Sequence, residues 1–150
     1  MSSAPSIAGM ERELARVQEY WEGLRRGENS IPFSDDIRLA SLSDMAQRTL
    51  LIEVFHDPVR FRVDIAGARI EKHYGTPLAG KFLDEIPQRG PLDGLSAQCQ
   101  AVLETRTPGH ETRGVGKQHF ARLVLPFWGN GHVDMLLVAI VSLNTEPARN

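Results

Sequence analysis

Along Phe61–Ile65 apolar and polar residues alternate strictly: Phe61, Val63 and Ile65 fall on one side, Arg62 and Asp64 on the other. A period of two sends successive side chains to opposite faces of a strand, so this segment reads as a half-buried strand. Gly67 ends it, a short helix is predicted around Ile70–Tyr74, and Gly75 and Gly80 mark two tight turns. A second short helix, Lys81–Ile86, stops at Pro87. A strand, two abrupt helices and closely spaced glycines predict a pocket wall.

The clearest helical period lies at Gly9–Arg26, where Met10, Leu14, Val17, Trp21 and Leu24 recur at spacings of four and three. Glu22 and Arg26 are placed to pair across one turn, and Gly27 closes the helix. Glu28–Ala40 reads as an extended linker with Pro32 and the acidic pair Asp35–Asp36, followed by a short helix at Ser41–Arg48. Thr49–His56 reads as a strand and Asp57–Pro58 as a turn. Leu92, Leu95, Cys99, Val102 and Leu103 predict a helix over Pro91–Thr105. Strands are then expected at His110–Gly114, Lys117–Phe127 and His132–Leu143, with Asn130–Gly131 as a hairpin turn. The ends, Met1–Ala8 and Asn144–Asn150, are polar and read as loose tails, leaving one folded domain over residues 9–143.

This order predicts an α+β fold, a five-stranded antiparallel sheet with short helices on one face and an N-terminal amphipathic helix. The last strand is apolar on both sides: Met135, Leu137, Ala139 and Val141 alternate with Leu136, Val138 and Ile140. Such a strand needs cover on both faces and belongs inside the sheet. The Phe61 strand is also expected inside. The second face is expected to be covered by the N-terminal helix or by a second subunit.

Composition adds mainly exclusions. With 150 residues and 41% hydrophobic content the chain is long enough for a core of its own. A net charge of −2 makes no electrostatic case for nucleic acid or an anionic membrane. The apolar run Met135–Val141 is far too short to span a bilayer, the N-terminus lacks the pattern of a secretory signal, and one cysteine cannot form an internal disulfide. These features place the expected location in the cytoplasm.

The segment YGTPLAGKFLDEI, Tyr74–Ile86, resembles the centre of a PAS domain. Together with YWEGLRRGENSIPFSDDI and RLVLPFWGNGHVDMLLVAI it is similar to a bacterial family of short proteins that are little more than one PAS domain. The matching positions are Tyr20, Trp21, Arg25, Pro32, Asp36, Ile37, Gly67, Gly75, Gly80, Leu125, Pro126 and Gly131. Phe127 and Leu39 depart from the family pattern. The resemblance spans roughly Glu19–Leu143. It implies a PAS-like fold, while one such scaffold serves many ligands.

Candidate chemistry is sparse. No phosphate-binding loop, nucleophile elbow or metal-binding helix pattern occurs, and Gly114–His119 is a loop whose spacing does not fit a phosphate-binding loop. The region resembling the flavin-binding segment of light sensors lacks its cysteine, and Pro91–Thr105 lacks the histidine that haem-binding PAS sensors carry, so no cofactor can be named. His73, Tyr74, Phe82, Cys99 and Trp128 are the residues expected near a ligand pocket, with a packing role the ordinary alternative for each. Met10, Leu14, Val17, Trp21 and Leu24 are the candidate dimer interface; the alternative is that they pack on their own domain. No metal site is expected.

The resulting expectation is a non-catalytic sensory module that binds a small molecule or a protein partner, signals in trans and forms a homodimer. The alternative is a small enzyme on a cone-shaped α+β fold, for which Asp134 is the carboxylate to check.

Overall fold

A computed structural model describes residues 10–26 and 31–143. Gly27 and both expected tails lie outside the described residues. The chain forms α1 (Arg12–Leu24), β1 (Thr49–Phe55), β2 (Arg60–Ala66), α2 (Ala68–Tyr74), α3 (Leu95–Thr105), β3 (Gly109–Val115), β4 (Gln118–Gly129) and β5 (His132–Ser142), joined by short 3₁₀ segments. All pairings between the strands are antiparallel, and the five strands lie in the order β2-β1-β5-β4-β3. Among the described residues no helix is long and apolar enough to cross a membrane.

β5 lies at the centre because its two apolar rows feed two different cores. Leu136, Val138 and Ile140 join Ile70, Tyr74, Leu95, Cys99 and Val102 under the helices that link β2 to β3. Leu137, Ala139 and Val141 join Leu14, Val17 and Trp21 on the opposite face. That second core is closed by the chain's own α1, together with Leu42 and Met45 of the 3₁₀ segment Leu39–Arg48. Trp21 is 2% exposed and its indole Nε1–H donates to the Pro126 carbonyl at 2.8 Å. Of the two expected covers for this face, the structure uses the N-terminal helix.

Three expectations are corrected. The Phe61 strand, β2, is an edge strand, because β1 is flanked by β2 on one side and β5 on the other. Only one face of β2 is apolar, which suits an edge. Its outer backbone is engaged by the following loop, where Val63 N–H donates to Lys81 O at 2.8 Å and Gly80 N–H to Val63 O at 2.7 Å. Second, Ile65 does not share the buried side of Phe61 and Val63. A bulge pairs Leu51 with Ile65 and Ile52 with Val63, so one residue of β2 is looped out and the alternation resets; Ile65 is 46% exposed. Third, Arg26 pairs with Asp36 through two hydrogen bonds of 2.9 and 2.6 Å, while Glu22 pairs with Arg25 at 3.4 Å.

The long central helix also starts later than the pattern suggests. Gly94 takes a left-handed φ of 73°, which separates a 3₁₀ turn at Gly90–Leu92 from α3.

Candidate functional site

The backbone around Gly67 sets the geometry of the principal cleft. Gly67 N–H donates to Thr49 O at 2.8 Å. Its Cα lies so close to the end of the 3₁₀ segment that an added Cβ would sit 2.3 Å from the Gln47 carbonyl oxygen. Only glycine allows that approach. It brings the start of α2 against Gln47 and Arg48. Within α2, Ile70 and Tyr74 turn inward at a spacing of four, which leaves Arg69, Lys72 and His73 on an outward face at spacings of three and four.

Arg48, Arg69 and His73 line an inner cavity of about 60 Å³ with Ile70, Phe120 and Ile140. Arg69, Lys72 and His73 also line an open cleft of about 650 Å³ with Gln47 and Ala68. Arg69 and His73 are common to both. The acidic residue of α2, Glu71, is directed elsewhere: its carboxylate accepts from Leu78 N–H at 2.8 Å. Among the described residues Arg48, Arg69 and Lys72 form no ion pair, whereas Arg26, Arg60, Arg62 and Arg113 are each matched to a carboxylate.

A second polar site lies at the β4–β5 turn. Asp134, Ser34, Asp35, Arg26 and Trp128 line a cavity of about 410 Å³. Ser34 Oγ donates to Asp134 Oδ2 at 3.1 Å, and the other carboxylate oxygen is buried without a hydrogen-bond partner. Burial raises the pKa of this carboxyl above the usual aspartate value, against the opposing effect of the Ser34 bond. The alternation of β5 predicts Asp134 on the face of Leu136. A bulge between Phe127 and Trp128 shifts the phase, and Val133 joins Leu136 in the core instead.

The five expected ligand residues occupy separate settings. His73 is exposed on the α2 cleft, its ring edge-on to Phe120 with 6.5 Å between centroids. Tyr74 is buried, its hydroxyl donating to Pro87 O at 2.6 Å and the Arg89 guanidinium lying 4.2 Å over its ring. Phe82 is half-buried beneath Arg60, 3.8 Å from the ring centroid. Cys99 is fully buried, and burial pushes its thiol up to about 12, which makes it an inert core residue. Trp128 faces the Asp134 cavity, with Arg106 5.4 Å over its ring. Of the expected interface residues, Met10, Leu14, Val17 and Trp21 are buried on the chain's own sheet and Leu24 is partly so.

The sequence reading missed the basic face of α2. The signal Arg69-x-x-Lys72-His73 was present, but Arg48 joins it only through the Gly67 contact. It also missed Arg122, which alternates with Phe120 and Val124 along β4 and so shares their core-facing side. Arg122 is 2% exposed, and its guanidinium donates to Gln98 Oε1 at 2.6 Å, Pro91 O at 3.0 Å and Asp93 O at 2.8 Å. It ties the loop before α3 to the sheet. No family model, curated protein or solved structure matches the chain, so these comparisons identify no PAS family.

Proposed function

We propose that this protein is a non-catalytic regulatory module with a PAS-like fold, binding a small molecule or a protein partner and acting in trans from the cytoplasm. The observation that carries the reading is the strand order 2-1-5-4-3, with the short helices between β2 and β3 laid over one face of the sheet. That arrangement leaves the helical connection as a wall whose shape is set by loops and turns, the part of a fold that varies most freely with ligand. The resemblance around Tyr74–Ile86 falls on this wall. A homodimer belongs to the same reading, through a surface other than the α1 stripe.

The enzyme alternative rests on Asp134, a half-buried carboxyl with a raised pKa and a hydroxyl neighbour facing a cavity. Native mass spectrometry with an absorbance scan of freshly purified protein tests the regulatory reading, which expects a retained non-covalent ligand or a specific dimer. Turnover of a hydrolase or isomerase substrate, abolished by Asp134→Asn in a folded protein, would overturn it.

A further inference from the structure

We propose that the α2 cleft is a binding site for a small phosphate monoester with a short apolar tail; this rests on the ligand-binding reading above. Arg48 and Arg69 line the inner cavity, Arg69 and Lys72 line the cleft that shares Arg69 and His73 with it, and none of the three has a carboxylate partner among the described residues. This holds on a chain whose net charge is −2. Like charges repel, weakly where they are exposed as Arg69 and Lys72 are, and an anion among them relieves that repulsion. A carboxylate supplies one negative charge, whereas a phosphate monoester supplies about 1.5 to 2 near neutral pH and three acceptor oxygens. Guanidinium groups suit such an oxyanion because their planar forks donate two parallel hydrogen bonds.

The shape divides the ligand in two. Arg69 and His73 border both spaces, so the phosphate is assigned to the part they share, with Arg48 lining the inner space and Lys72 the outer. Ile70, Phe120, Ile140 and Pro91 supply the apolar half of the inner cavity's lining, the rest being the basic residues already named and Ser142. At about 60 Å³ the cavity holds a short aliphatic group and is too small for an aromatic ring, since a dry cavity that admits benzene measures about 150 Å³.

The test is a titration of ¹⁵N-labelled protein with propyl phosphate at low ionic strength, followed by amide chemical shifts. Saturable shifts are expected at residues 68–73, with affinity falling as salt is added. Inorganic phosphate should bind the same amides more weakly, and 1-propanol should leave them unmoved. Arg69→Gln combined with Lys72→Gln should weaken propyl phosphate by about tenfold or more, as the loss of charge-assisted hydrogen bonds implies. Both side chains are exposed, and the remaining spectrum reports directly that the variant is folded. Absence of saturable shifts at millimolar propyl phosphate, or unchanged affinity in the double variant, overturns the site. Equal affinity for butyrate overturns the phosphate assignment. Failure here with a retained ligand or specific dimer in native mass spectra would remove this site and leave the regulatory reading standing. Binding here with Asp134-dependent turnover would do the reverse.

Discussion

Asp134 and Arg122 are both polar residues in central strands, and burial treats them differently. Asp134 keeps one hydrogen bond and one orphaned oxygen, so its charged form is disfavoured in the folded state. A carboxyl whose folded pKa lies above its unfolded value contributes stability that is fully present below the unfolded pKa. That contribution is lost as pH rises through the folded pKa. Asp134→Asn retains an acceptor for Ser34 and removes the charge. Its melting temperature is therefore expected to exceed that of the parent near neutral pH, with the difference shrinking as pH falls towards the ordinary aspartate range. Thermal melts across that range check this, and an equal difference at every pH would count against a buried charge. Arg122 has three acceptors in place for Nε and Nη1, while its Nη2 is buried without a hydrogen-bond partner, 3.7 Å from Glu111 Oε1. Arg122→Ala would leave Gln98 and two loop carbonyls without their donor. A loss of about 3 kcal/mol or more is expected in urea unfolding, because breaking a buried charged network costs about that much.

At the level of elements, α1 is held by its apolar face and by one indole hydrogen bond. Trp21→Ala removes a ring buried against the second core together with the bond to Pro126. Truncating a core aromatic costs about 3–5 kcal/mol, and urea unfolding of this variant should show a loss in that range. Val17→Glu places a charge at a fully buried position on the same face. With α1 docked on its own sheet, this variant should melt at lower temperature without a change in mass by light scattering. A halved mass at an unchanged melting point would instead make the stripe intermolecular.

Across the whole molecule, stability should grade from the middle of the sheet outwards. β5 is paired on both sides and feeds both cores, whereas β3 is paired on one side only. Native-state hydrogen exchange should find the slowest amides at Leu136–Ile140, opening only with global unfolding, and faster exchange along β3. Uniform protection across the five strands would contradict this gradient.

Local pattern alone determined the five strands and the three α-helices, where the Asn130–Gly131 turn falls, and that the doubly apolar last strand is central. Those features depend on side-chain periodicity and on φ preferences, which are properties of neighbouring residues. The helices expected at Ser41–Arg48 and Lys81–Ile86, by contrast, form only as 3₁₀ segments, Leu39–Arg48 and Leu83–Glu85. The period of two carried no record of the bulges that turn Ile65 outwards and exchange Asp134 for Val133, since a bulge is fixed by pairing with another strand. Nor could it tell that β2 lies at an edge or that α1 covers its own sheet. The candidate site was legible only in part: His73 belonged to it by position, but its companions Arg48, Arg69 and Lys72 were not recognised. Arg48 and Arg69 share one cavity because the Cα of Gly67 rests on the Gln47 carbonyl, a contact between two backbone segments that only the tertiary structure brings together.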